Sequence, residues 1–156
     1  MADFTFAERQ KNLLLKDWSE AELGIWICQY KFNDRKLADK LLEKYRDGLT
    51  VMLILEDCDH NRALQESHWE KMPCSTWWFF RSDIGEVQNQ KFCIIDGQIL
   101  WQGSFDFMWS TANNNQEECT RYSNPEKIRE FAAKFTSLRR NIDKEERIRR
   151  QMSPLS

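Results

Sequence analysis

The chain has 156 residues, 41% hydrophobic and 31% charged, with 23 Lys and Arg against 25 Asp and Glu. That length suits one core of roughly 100–200 residues with no need of a disulfide or metal staple, and the composition excludes a disordered chain. The formal net charge of −2 excludes a basic field over the whole molecule, so any polyanion site must be local.

Phe6 to Trp18 has helical periodicity around Leu13 and Leu14. Leu23 to Tyr30 is apolar almost throughout and reads as a strand buried on both faces. Asp34 is placed to cap a helix running to about Asp47, with Leu37, Ala38, Leu41, Leu42 and Tyr45 on one side and Gly48 closing it. Thr50 to Leu55 is the next buried strand, and this strand–helix–strand run predicts a parallel pair with a right-handed crossover. Asp59 to Met72 is polar with a helical pattern that Pro73 ends. Thr76 to Phe80 is a short aromatic strand, followed by a polar loop from Arg81 to Gln88. Lys91 to Ile95 and Gln98 to Trp101 flank Asp96-Gly97, a strong hairpin signal. Phe105 to Ala112 reads as a helical turn, Asn113 to Asn115 breaks it, and Glu117 to Tyr122 is a last strand. Pro125 opens a long helix to about Arg150. The pattern predicts one α/β domain over residues 1–150 and a frayed tail over 151–156.

No apolar run approaches the roughly 18 residues of a membrane span, and Met1-Ala2-Asp3-Phe4 lacks the basic-then-apolar order of a signal peptide. A cytoplasmic protein without membrane contact is expected. Cys28, Cys58, Cys74, Cys93 and Cys119 are odd in number and contain no Cys-x-x-Cys pair, and His60 and His68 are the only histidines. Reduced, mostly buried thiols, no metal and no cofactor are expected. The two histidines read as surface residues on a polar helix. Trp26, Trp77 and Trp78 read as core, while Trp101 and Trp109 are candidates to line a substrate groove. The arginines from Arg139 to Arg150 are interrupted by Asp143, Glu145 and Glu146 and read mostly as a charge-laced helix face.

The informative stretch is Asn89-Gln90-Lys91 through Asp96-Gly97, then Gly103-Ser104-Phe105-Asp106, then Asn115-Gln116-Glu117. It resembles the phospholipase D superfamily, whose motif runs His-x-Lys-x-x-x-x-Asp, Gly-Ser-x-Asn, and a glutamate after an asparagine. Gly103 and Ser104 fall 14 and 15 positions after residue 89, and Glu117 falls 28 after it. These offsets are similar, without a gap, to those of the small single-motif bacterial endonucleases of the superfamily. The first strand and helix, Ile25 to Phe32 and Leu37 to Leu41, extend the likeness upstream.

The resemblance implies a mixed α/β sandwich with helices on both faces of the sheet, and phosphodiester hydrolysis without a metal. In that chemistry the motif histidine attacks phosphorus and forms a phosphohistidine, while a second histidine from another motif copy protonates the leaving oxygen. Lys91 and Ser104 would hold the phosphate, and Glu117 would orient the histidine. Asp106 also falls in the phosphate-binding stretch, while Asp96, Gly103 and Asn115 would be structural residues near the site. A chain with one motif copy must borrow the second, which implies a homodimer with a shared site and a nucleic acid or other phosphodiester as substrate.

Two positions depart from the motif. Asn89 stands at the histidine position, and its amide can be neither this nucleophile nor a general acid. Asp106 stands where asparagine is usual and would put negative charge where a phosphate is expected. Two readings stay open: an engineered Asn89 in an otherwise intact site, or a natural non-catalytic pseudoenzyme that binds phosphate, nucleic acid or a protein. Beside these, Asp96 reads first as a good turn residue and Ser104 as a helix cap.

Overall fold

The first strand–helix–strand run decides the architecture. A computed structural model describes residues 6–81, 91–103 and 119–152 of the chain. In it β1 (Gly24–Gln29) and β2 (Thr50–Glu56) are buried along almost their whole length, and α2 (Arg35–Arg46) crosses between them. Strands apolar on both faces need cover on both, which favours a parallel pair with a crossover helix. The pair is indeed parallel, with Ile25 opposite Val51 and Ile27 opposite Leu53. Asp34 caps α2 by accepting from the Leu37 N–H at 3.2 Å, and it also pairs with Lys11 of α1 (Phe6–Glu20). Gly48, at φ 97°, ends the crossover in the left-handed region.

Beside β2 lies β3 (Trp77–Phe80), again parallel. On the other side of β1 the chain turns antiparallel. β4 (Phe92–Ile95) pairs with β1, β5 (Ile99–Gly103) with β4, and β6 (Cys119–Tyr122) with β5. The described strands form one sheet in the order β3-β2-β1-β4-β5-β6. Asp96 and Gly97 at the β4–β5 turn have φ of 56° and 66°, the paired positive values of a tight primed turn.

Helices cover both faces. Ile25, Ile27, Leu53 and Leu55 pack with Leu14 and Trp18 of α1 and with Leu37, Ala38 and Leu41 of α2. Cys28, Ile54, Phe92 and Ile94 pack on the opposite face with Phe131, Phe135 and Leu138 of α4 (Pro125–Met152). Each such large side chain gains about 1.5–3 kcal/mol from leaving water. Aromatic contacts fix this second layer: Trp26 stacks on Phe135 at 5.2 Å, and Phe92 meets Phe131 edge-on at 5.0 Å.

Several expectations are corrected. Asp59 to Met72 is not one helix but a single turn, α3 (Asp59–Arg62), followed by turns and a short 3₁₀ stretch at Trp69–Lys71. The consecutive residues His68 and Trp69 are both buried. The winding loosens there, with Trp69 N–H reaching Leu64 O and Glu70 N–H reaching Gln65 O. His68 is therefore not a surface residue; its ring bonds Ser67 Oγ and Asp39 Oδ1, each at 2.7 Å. Trp78 is buried, while Trp26 and Trp77 are half-buried against the core. All five cysteines are free thiols; Cys28 and Cys93 are buried, Cys58 and Cys119 half-buried, and Cys74 exposed. Burial pushes the Cys28 thiol up to about 12. The last helix continues through Gln151 to Met152. The turn expected from Phe105 to Ala112 lies outside the described residues.

Candidate active site

The strand directions bring six segment ends to one end of the sheet. β1, β2, β3 and β5 finish there, and β4 and β6 begin there. The described residues at those ends include Tyr30, Asp57, Arg81, Lys91, Gly103 and Cys119. Lys91 and Gly103 are tied directly: Gly103 N–H donates to Lys91 O at 3.2 Å. Gly103 in turn stands opposite Cys119. Two pieces of the motif that lie on different strands thus meet edge to edge.

Asn89, Ser104, Asp106, Asn115 and Glu117 lie outside the described residues, as does Trp109. Lys91 is described and half-buried, and its Nζ lies 5.4 Å from the centre of the Tyr30 ring. An ammonium near an aromatic face is held by the ring's negative quadrupole. The Tyr30 ring meets Phe80 edge-on at 5.5 Å, so the platform is itself braced by β3.

Tyr30 is fixed through its backbone by Asn61, a residue sequence reasoning missed. Asn61 is fully buried; its Nδ2 donates to Tyr30 O at 2.5 Å and to Glu56 O at 2.7 Å, and its Oδ1 accepts from Phe32 N–H at 2.5 Å. One amide so satisfies three backbone groups where β1 and β2 leave the sheet. Gln29, beside Tyr30, is also buried, and its Oε1 has no hydrogen-bond partner among the described residues. No spacing rule marks Asn61 or Gln29, whereas an aromatic residue closing an apolar strand is a visible signal for Tyr30.

Asp96 sits at the other end of β4 from Lys91. Its carboxylate accepts backbone N–H bonds from Glu22 at 3.0 Å, Leu23 at 2.8 Å and Gly24 at 2.9 Å. Burial pulls its pKa up, but the three donors together outweigh that and hold the carboxyl below its ordinary value. Its role is to latch the β4–β5 turn to the start of β1, and the placement near the site is corrected. Trp101 is likewise not a groove residue. It is 4% exposed, and its Nε1 donates to Asp17 Oδ2 at 2.8 Å, where Arg121 also binds.

The electrostatics around the ends of β2 and β3 centre on Asp57. Arg62 binds it with two bonds, of 2.6 and 3.0 Å. That hydrogen bonding, against some burial and aided by the charges of Arg62, Arg81 and Arg149, holds the Asp57 carboxyl below its ordinary range. Among the described residues no group of three His, Cys, Asp or Glu side chains is arranged to hold a metal ion. No helix among them is long and apolar enough to cross a membrane. A half-buried lysine at the junction of strand ends is suited to hold an anionic oxygen, and a nucleophile must come from elsewhere.

Comparison with known proteins agrees with this architecture. The fold is similar to NucT from Helicobacter pylori, with a TM-score of 0.73 at 21% identity over 84% of this chain and 87% of that one. It is also similar to Nuc from Salmonella typhimurium, described as a phospholipase D family member, with a TM-score of 0.70 at 18% identity over 85% of this chain and 87% of that one. In sequence the chain is 28% identical over 113 residues to a protein of Chlamydomonas reinhardtii named mitochondrial cardiolipin hydrolase. That match takes in 72% of this chain and 49% of the relative, so the chain spans about half of the relative's length. The family described as cardiolipin synthase, phospholipase D-like domain, matches residues 14–139, and the chain belongs to it.

Proposed function

We propose that the chain carries the scaffold of a metal-independent phosphodiesterase of the endonuclease type, assembled as a homodimer around one shared site. The observation that carries this reading is the bond between Gly103 and Lys91, which joins two motif segments at the sheet end. Position 89 is two residues from Lys91, Ser104 directly follows Gly103, and Glu117 is two residues before Cys119, and this adjacency in sequence supports the reading.

With histidine at position 89, an imidazole nitrogen would form a bond to phosphorus as the bond to the leaving oxygen breaks. The partner subunit's equivalent histidine would give that oxygen its proton. Water would then attack the phosphohistidine, its proton returning to the second imidazole. Lys91 and Ser104 offset the charge on the phosphate oxygens, and Glu117 orients the ring. Asn89 removes both nucleophile and acid in a two-fold assembly, so the chain as it stands is inactive.

The test is Asn89→His, assayed on DNA, RNA and a small chromogenic diester with chelator present. Cleavage that requires histidine at 89 supports the reading, as does a dimer mass in solution at micromolar concentration. A folded, dimeric and silent variant would favour the second reading, a phosphate-binding pseudoenzyme, which the charge of Asp106 also favours.

A further inference from the structure

Tyr30 is placed by both its ring and its backbone. Along β1, Ile25 and Ile27 face α1 and α2, while Trp26 and Cys28 face α4. Tyr30 keeps the second parity one step past the strand and packs on the α4 side, edge-on to the buried Phe80 at 5.5 Å. Its carbonyl accepts from Glu56 N–H at 3.2 Å and from the Asn61 amide. The ring is therefore held by packing on β3, and the backbone by β2 and α3.

Lys91 reaches this ring from the neighbouring antiparallel strand. Cys28 stands opposite Phe92, and one further step carries Gln29 to Lys91. Tyr30 follows Gln29, and its ring centre lies 5.4 Å from Lys91 Nζ. The Gly103 N–H holds the Lys91 carbonyl, which fixes where the side chain starts but not where it ends. A flexible four-carbon stem lets an ammonium wander over several ångströms unless something holds its tip. Two other lysines that lie over rings, Lys127 at Tyr122 and Lys134 at Phe131, are near neighbours of those rings in the chain. Lys91 and Tyr30 come from separate strands, so the fold has to build their contact.

We propose that Tyr30 is a positioning residue for Lys91: its ring holds the ammonium at the sheet end where a phosphate oxygen is bound. A ring suits this work better than a carboxylate. Its quadrupole attracts a cation while carrying no net charge, so the lysine keeps its full charge for an anion. A carboxylate in the same place would compete with the phosphate. The inference rests on reading Lys91 as a phosphate-holding residue, and it adds what sets the position of the amine. A residue that only braced the end of β1 would leave the Lys91 tip unaffected when its ring is removed.

Tyr30→Leu removes the ring, and Tyr30→Phe keeps it without the hydroxyl. The first readout is the proton NMR shift of the Lys91 ε-methylene in the chain as it stands, assigned by its loss in Lys91→Arg. A methylene over a ring face is shifted upfield. That shift is expected in the wild type and in Tyr30→Phe and should vanish in Tyr30→Leu. Titration with inorganic phosphate should move the same signal, with affinity about threefold to tenfold lower in Tyr30→Leu and within about twofold of the wild type in Tyr30→Phe. On the Asn89→His background, Tyr30→Leu should lower kcat/KM on the chromogenic diester by a similar factor. An unshifted methylene in the wild type overturns the proposal even if the leucine variant fails to fold. So does a signal that phosphate leaves still, unchanged affinity in Tyr30→Leu, or an equal loss in Tyr30→Phe, which would give the role to the hydroxyl. A silent Asn89→His variant beside ring-dependent phosphate binding would sink the catalytic reading and leave this one standing. An active variant indifferent to Tyr30→Leu would do the reverse.

Discussion

The backbone N–H of Gly103 donates to the carbonyl oxygen of Lys91 across 3.2 Å. The bond closes the open end of the β4–β5 hairpin, so a shift in either residue moves the other. Restoring histidine at position 89 would put it two residues before Lys91, whose backbone is already fixed. Asn89→His is expected to gain diesterase activity without divalent metal. Adding Lys91→Ala should lower that rate by about two to three orders of magnitude, as loss of a preorganised charge on a transition state commonly does. Turnover on a fixed oligonucleotide at fixed salt checks both.

Asp106→Asn, added to Asn89→His, should raise activity further. A like charge about 5 Å from the phosphate costs on the order of 3 kcal/mol at an effective dielectric of about 20, which is about a hundredfold. The comparison is between the single and double variants on the same substrate. No gain would place Asp106 away from the phosphate.

Asn61→Ala should cost about 2–4 kcal/mol of stability, because it removes three hydrogen bonds between a fully buried amide and the backbone at once. Asn61→Asp is the sharper variant. A carboxylate can accept from Phe32 but cannot donate to the Tyr30 and Glu56 carbonyls, so the loss should be at least as large at neutral pH. It should shrink in acid, where the protonated group regains a donor. Urea midpoints at both pH values report this.

Asp96 gives a pH-dependent contribution whose sign is set. Its folded pKa is below the unfolded value near 3.9, so the stability it adds is complete above about pH 5 and drains as pH falls through the folded value. Asparagine tolerates the positive φ of this position. Asp96→Asn should therefore isolate the charge, costing about 1–2 kcal/mol at pH 7 and far less near pH 2. An equal cost at both pH values would mean that the three N–H bonds do not depend on ionisation.

The strands were readable because burial on both faces leaves unbroken apolar runs at β1 and β2, and the hairpin because only a few residue pairs accept two positive φ angles. The helix expected over 59–72 has the buried stripe of one, with Asn61, Leu64, His68 and Trp69 inward, yet its winding slackens after Arg62, and the inward pattern alone could not show that. Trp101 looked available beside the motif, yet Asp17, far upstream, takes its N–H inside the core. The Asp96-Gly97 signal showed the hairpin but not its register: a two-residue turn sets Lys91 opposite Gln102, whereas Ile95 stands opposite Ile99 and the bond forms between Lys91 and Gly103. Tyr30 and Asn61 act across the fold, and a single polar residue with distant partners leaves no period to detect. Most of the remaining motif lies outside the described residues.

Along α4 the buried positions are Ile128, Phe131, Phe135, Leu138 and Ile142, and none follows Ile142. Further on, Ile148 and Met152 are largely exposed. One continuous helix is thus two materials, a proximal rod anchored by the sheet and a distal stem that lives on intrinsic propensity, which short helices in water scarcely sustain. Amide hydrogens of the distal turns should exchange orders of magnitude faster than those between Ile128 and Ile142.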